Sequence, residues 1–179
     1  MSLNRGVAAL GAVAVVGAAT LGITLPIAAH YAPSVARVSV VAGSHWTQIA
    51  PLANCYNGGK ALSTTDQAKC SASIKAALSD DKKMPTAIVP SANGNFGINV
   101  DQPVTKNGWV ARTGSGFLVQ HTTNAYAGPL SITQVLTTQD PTTGQTTTSN
   151  TGPILIVETD KDGKGIFGEW LLQLKVAGS

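Results

Sequence analysis

Charge is scarce in this chain. Asp, Glu, Lys and Arg make up 12% of it, against about 25% in an average soluble domain. The basic residues are scattered: Lys82 and Lys83 are the one adjacent pair, and Asp80 and Asp81 stand directly before them. A nucleic-acid partner needs a clustered basic footprint, so that class is excluded. Histidine is limited to His30, His45 and His121, and cysteine to Cys55 and Cys70. Neither H-E-x-x-H nor C-x-x-C occurs, and no glycine-rich phosphate loop is present, so the motif-borne metal, redox and nucleotide chemistries have no foothold. We expect no catalytic residues, no metal ligands and no cofactor. What fills the chain instead is Thr, Ser, Asn, Gln and Gly, a composition suited to strands and turns.

The N-terminus is the exception to that polarity. Between Arg5 and His30 no charged residue occurs, and residues 7–25 alone approach the 20 or so that a membrane-crossing helix needs. One Arg followed by an apolar run opens both signal peptides and signal anchors. The length of the run favours a retained anchor. Pro26 and the small residues of Ser34-Val35-Ala36 favour cleavage. A buried core helix is the bland alternative, but such helices rarely run this far without a polar face. We therefore expect residues 1–36 to be a signal anchor or signal peptide, contacting the membrane as one N-terminal helix. Residues 37–179 then form an extracytoplasmic domain. No Cys lies near the end of the apolar run, which excludes bacterial lipoprotein anchoring.

Cys55 and Cys70 agree with export. As metal ligands they would need two further partners, and no His or other Cys stands near either. In an oxidising compartment a disulfide is the simpler expectation.

Residues 37–43 (RVSVVAG) and 45–50 (HWTQIA) read as strands around a Gly43-Ser44 turn. Residues 65–78 suit a short helix capped by Thr64 or Thr65. Short strands are expected at 86–89, 96–100, 109–112 and 116–121, and at 130–136, where LSITQVL alternates. Residues 137–152 are low-complexity, a hairpin tip or mobile loop. Strands at 154–159 and 166–176 should pair across 160–165. In the last of them Trp170, Leu172 and Leu174 share one face, while Leu171, Gln173 and Lys175 share the other, expected to be solvated. Seven to nine strands at this spacing argue for a β-sandwich.

Two local motifs invite chemistry. Glu158, Asp160, Asp162, Gly163 and Glu169 fall at positions 1, 3, 5, 6 and 12 of a calcium loop. The flanks ILIV and WLLQLKV read as strands, however, and Asp-Gly between apolar runs is a hairpin signal, so we expect a turn. Gly114-Ser115-Gly116-Phe117-Leu118-Val119 resembles a strand near the start of trypsin-like and HtrA-like serine proteases. Such an enzyme needs a later His base and a nucleophilic Ser in a glycine-rich setting, and no His follows His121. Asp80-Asp81 and Asp160/Asp162 are the close carboxylate groups, and both read as exposed turn acids.

Taken in order, Asn54-Cys55-Tyr56-Asn57, Lys69-Cys70, Gly97-Ile98-x-Val100-Asp101, Gly108-Trp109, Val157-Glu158 and Gly168-x-Trp170-x-x-x-Leu174-Lys175 form a pattern similar to a family of small secreted or lipid-anchored actinobacterial proteins of no established activity. The resemblance spans about residues 37–176. It implies a disulfide and an immunoglobulin-like sandwich, and it supplies no functional residues. The functional expectation is a non-enzymatic binding or structural module at the outer face of the cytoplasmic membrane. The alternatives are an accessory subunit of a membrane complex, docked through the small residues of its N-terminal helix, and a hydrolase with an unrecognised site.

Overall fold

The computed structural model of the chain describes residues 35–139 and 142–178. The expected export segment, residues 1–36, lies almost wholly outside them. Val35–Ser179 forms a compact unit by itself.

The chain opens with β1 (Val38–Ala42) and β2 (His45–Ile49), an antiparallel hairpin in which Ala42 pairs with His45. Gly43 sits at φ 59° in the two-residue turn. A turn of that length matches the strand twist only with left-handed backbone, which is why glycine is there. A long loop leads to α1 (Thr64–Leu78). Its N-cap is Ser63, one residue before the earlier of the two expected caps, Thr64. The Ser63 Oγ accepts from the Asp66 N–H at 3.2 Å and also lies 2.7 Å from the Asp66 carboxylate, so cap and helix-dipole partner are supplied together.

A short 3-10 turn (Asp81–Lys83) precedes β3 (Thr86–Val89) and β4 (Asn95–Val100). Next come α2 (Gln102–Thr105), β5 (Trp109–Thr113), β6 (Gly116–Thr122) and β7 (Tyr126–Ser131). The chain continues through α3 (Ile132–Leu136), β8 (Thr137–Gln139) and β9 (Thr146–Thr148), and closes with β10 (Thr151–Thr159) and β11 (Ile166–Val176). One sheet has the order β2-β1-β4-β7, the other β3-β11-β10-β5-β6, and β8 pairs with β9 in a separate ribbon. The β3–β11 pairing is parallel and the others are antiparallel.

Both sheets contribute to one hydrophobic core. Val38 and Val40 of β1 and Phe96, Ile98 and Val100 of β4 meet Trp109 of β5, Ile154 and Ile156 of β10, and Trp170, Leu172 and Leu174 of β11. The period-2 alternation in each strand selects these side chains. The result is a mostly-β architecture, consistent with a sandwich.

Two expectations need correction, and a third resolves between its alternatives. Residues 130–136 are not one strand: β7 ends at Ser131, and Ile132–Leu136 makes a helical turn that buries Ile132, Val135 and Leu136. That i, i+3, i+4 spacing fits a helix face, and the Ile132 N–H donates to the Gly94 carbonyl at 3.1 Å. Of the two alternatives for residues 137–152, the hairpin is the one formed: their β-branched threonines build the β8–β9 ribbon, and β10 begins at Thr151. Finally, the face of β11 bearing Leu171 and Gln173 is not solvated. Leu171 is 2% exposed and Gln173 7%. Ala77 and Ile74 of α1, with Met84, Leu52 and Leu155, close a second small core over Leu171.

Candidate functional site

The second core explains where a site can form. Helix α1 and Met84 roof β11 on the outside of the five-stranded sheet, while the outer face of β10, β5 and β6 is left open. There a groove of about 380 Å³ runs against the sheet. Val110 of β5 and Leu155 and Val157 of β10 line it with apolar surface. Arg112 and Phe117, paired across β5 and β6, stand at its border, with the guanidinium 4.4 Å above the ring centroid. That cation–π contact holds a half-exposed aromatic beside a positive charge. Glu169 and the 160–163 turn complete the border with acidic groups. The arrangement is amphipathic, with an apolar base and charges of both signs around it.

Cys55 and Cys70 are joined, with Cα atoms 4.8 Å apart, and both are fully buried. The bridge ties the loop after β2 to the middle of α1. The Glu169 N–H donates to the Cys55 carbonyl at 2.8 Å, and Tyr56 bridges to Gly168, so the same loop is sewn onto β11. The Glu169 carboxyl lies 2.7 Å from the Cys70 sulfur. A half-cystine has no proton to give. Burial pushes this carboxyl above the usual carboxylate range. Cys55, Cys70 and Glu169 form the one close cluster of metal-type donors among the described residues. Their sulfurs are bonded to each other and lack the thiolate charge that a metal requires.

The calcium-like motif is a turn. The Asp160 carbonyl accepts from the Gly163 N–H at 3.0 Å, and its carboxylate accepts from the N–H groups of Lys164 at 2.8 Å and Gly165 at 3.0 Å. Glu158 faces away from that turn, on the side of Ile154 and Ile156 and fully buried. The four acids of the motif do not converge. The protease-like segment does not bring its serine and the following histidine together. The Ser115 Oγ donates to the Thr137 carbonyl at 2.7 Å in the β5–β6 turn. His121, roughly 20 Å further along the strand, has its Nε2 at 3.1 Å from the Thr159 carbonyl and 3.3 Å from that of Asn107. Two carbonyl neighbours require that nitrogen to carry the hydrogen.

Glu158 is the unusual group of the interior. One carboxyl oxygen accepts from the Asn107 side chain at 2.7 Å, while the other has no partner. Burial pushes its pKa up, and the Asn107 hydrogen bond opposes this in part. The folded protein therefore holds this proton more tightly than the unfolded chain. The associated stability is present below the ordinary carboxylate value of about 4.3 and is lost as pH rises through the raised folded value. Glu158→Gln should accordingly raise the melting temperature at pH 7, because the amide keeps the oxygen that accepts from Asn107 and removes a buried charge, and the gain should vanish below pH 4. Thermal melts at both pH values check this; destabilisation at pH 7 would contradict it.

Sequence reasoning did not find the groove. Its one trace is the unbroken apolar run Ile154-Leu155-Ile156-Val157, which signals a strand covered on both faces. In comparisons with family models, curated proteins and solved structures, the chain has no match.

Proposed function

We propose that the protein is a non-enzymatic extracytoplasmic binding module, held at the outer face of the cytoplasmic membrane or released from it by residues 1–36, with its ligand site in the groove on β10, β5 and β6. The observation that carries this reading is the groove itself: buried and half-buried apolar side chains of a sheet, roofed by α1 on one side and open on the other. An amphipathic concavity with a few charged groups at its border is the usual form of a recognition site.

The strand order supports an immunoglobulin-like sandwich. In such a domain strands A, B and E lie together in one sheet, and G, F, C and C′ in the other. Here β1-β4-β7 take the first places and β11-β10-β5-β6 the second. Trp109 on β5, fully buried, occupies the strand that carries the core tryptophan of immunoglobulin domains. The Cys55–Cys70 bridge belongs in an oxidising compartment, as an extracytoplasmic domain requires.

The test uses the full chain in the cells that make it, with a photo-crosslinking residue placed at Phe117 or, for comparison, at exposed Lys75 on α1. Discrete adducts are expected from position 117 and not from position 75. Equal labelling at both, or none at 117, would remove the groove as the ligand site.

A further inference from the structure

The opposite side of the molecule carries a second surface. On the outside of sheet β2-β1-β4-β7, Trp46 pairs with Val41, and Val41 pairs with Gly97. Trp46 is 61% exposed, Tyr126 55% and Val41 37%. Tyr126 belongs to β7, but its ring lies over Gly97 of β4. A Cβ on Gly97 would lie 2.7 Å from Cζ of that ring and nearer still to Cε2 and the hydroxyl; a Cβ on Gly128 would meet Cζ at 2.9 Å. Real Cβ atoms do not approach so closely, so two glycines make the room in which an exposed tyrosine lies flat on the sheet.

Trp46, Val41 and Tyr126 thus form a row across two strand spacings, about 10 Å. The groups beside the row are neutral and polar. Asn99 is exposed and pairs with Tyr126, Ser39 pairs with Gln48 and Asn99, and Gln48 accepts from Arg37 Nη1 at 2.9 Å. The charges of this face, Arg37 and Asp101, sit together at one end, where the Arg37 N–H donates to the Asp101 carboxylate at 2.8 Å. Between the two aromatic rings there is none among the described residues.

We propose that this face binds a neutral glycan chain, with Trp46 and Tyr126 each stacking on a sugar ring and Asn99 and Gln48 hydrogen-bonding its hydroxyls. The C–H face of a sugar ring is apolar and flat, and it matches an exposed aromatic ring. Its hydroxyls match amides, which both donate and accept. The absence of charge between the rings fits an uncharged ligand. A protein partner fits poorly, because the row offers on the order of 300 Å² of half-exposed side chain, against about 800 Å² per partner in a stable protein interface. This surface is on the other sheet from the groove, so either site can fail without the other.

The test is calorimetric titration of the full chain, kept in a detergent without a sugar headgroup, with three neutral hexasaccharides: β-1,4-linked glucose, β-1,4-linked N-acetylglucosamine and α-1,4-linked glucose. Trp109 and Trp170 are fully buried, so protection of tryptophan fluorescence from acrylamide reports Trp46 alone. Saturable binding of at least one sugar is expected, with Trp46 protected. Trp46→Ala and Tyr126→Ala should each weaken it roughly tenfold or more, while truncating Leu78, an exposed apolar residue on α1, leaves it unchanged. The proposal is overturned if none of the three binds at millimolar concentration, or if binding survives both aromatic substitutions. It is also overturned if Trp46→Ala dissolves a concentration-dependent dimer, which would assign the face to a second copy of the chain.

Discussion

Truncating Trp170 to Ala should destabilise the domain by about 3–5 kcal/mol, a large share of the 5–15 kcal/mol that a domain of this size has in total. The side chain is fully buried near the middle of β11, which pairs on both edges. Its ring meets that of Tyr56 at 5.8 Å between centroids, tilted by 50°, a geometry favoured between aromatic quadrupoles. The indole N–H donates to the Ala36 carbonyl at 3.1 Å. Removing it opens a cavity between the two sheets, leaves that carbonyl without its donor and frees the chain entering β1. All three losses have the same sign. Urea melts of the full-length protein and the variant measure the difference. A change below about 1 kcal/mol would mean that Trp170 lies outside the core and that the register of β11 is wrong.

The same strand shows what periodicity can and cannot report. Trp170, Leu172 and Leu174 were legible as an inward face because alternate residues of a strand must point the same way. Gln173 looked like the mark of a solvated face, yet Gln173 and Leu171 are buried. A helix fifteen residues long, distant in sequence, covers Leu171, and nothing in β11 encodes what lies on its second side. The segment 130–136 failed for a related reason. Its apolar residues satisfy strand alternation at Leu130 and Ile132 and helical spacing at Ile132, Val135 and Leu136. Packing against the core decided between them.

The hairpin turns were readable because their chemistry is local: Gly43 needs left-handed backbone, and Asp160 satisfies the amides of its own turn. The candidate surfaces were not readable, because each is assembled across strands. Arg112 and Phe117 become neighbours only through the β5–β6 register, and Tyr126 reaches Gly97 only across β4 and β7. Tyr126 itself fell between two expected strands.

The second large effect concerns the bridge. Cys55 and Cys70 close a loop of 15 residues, which by the chain-entropy argument stabilises the fold by about 3 kcal/mol. The consequence is local as well as global, since the bridge holds α1 where Ile74 and Ala77 roof Leu171. Replacing both cysteines by Ala should lower stability by about that amount and loosen α1 first, uncovering the edge of the groove. The account as a whole rests on that bond forming where the protein works. Cells making the full chain are quenched in acid, denatured and alkylated without reductant, and the cysteine peptides are weighed. The expected result is one linked peptide pair carrying Cys55 and Cys70, neither alkylated. Recovery of both cysteines fully alkylated would place the chain in a reducing compartment and contradict the extracytoplasmic reading.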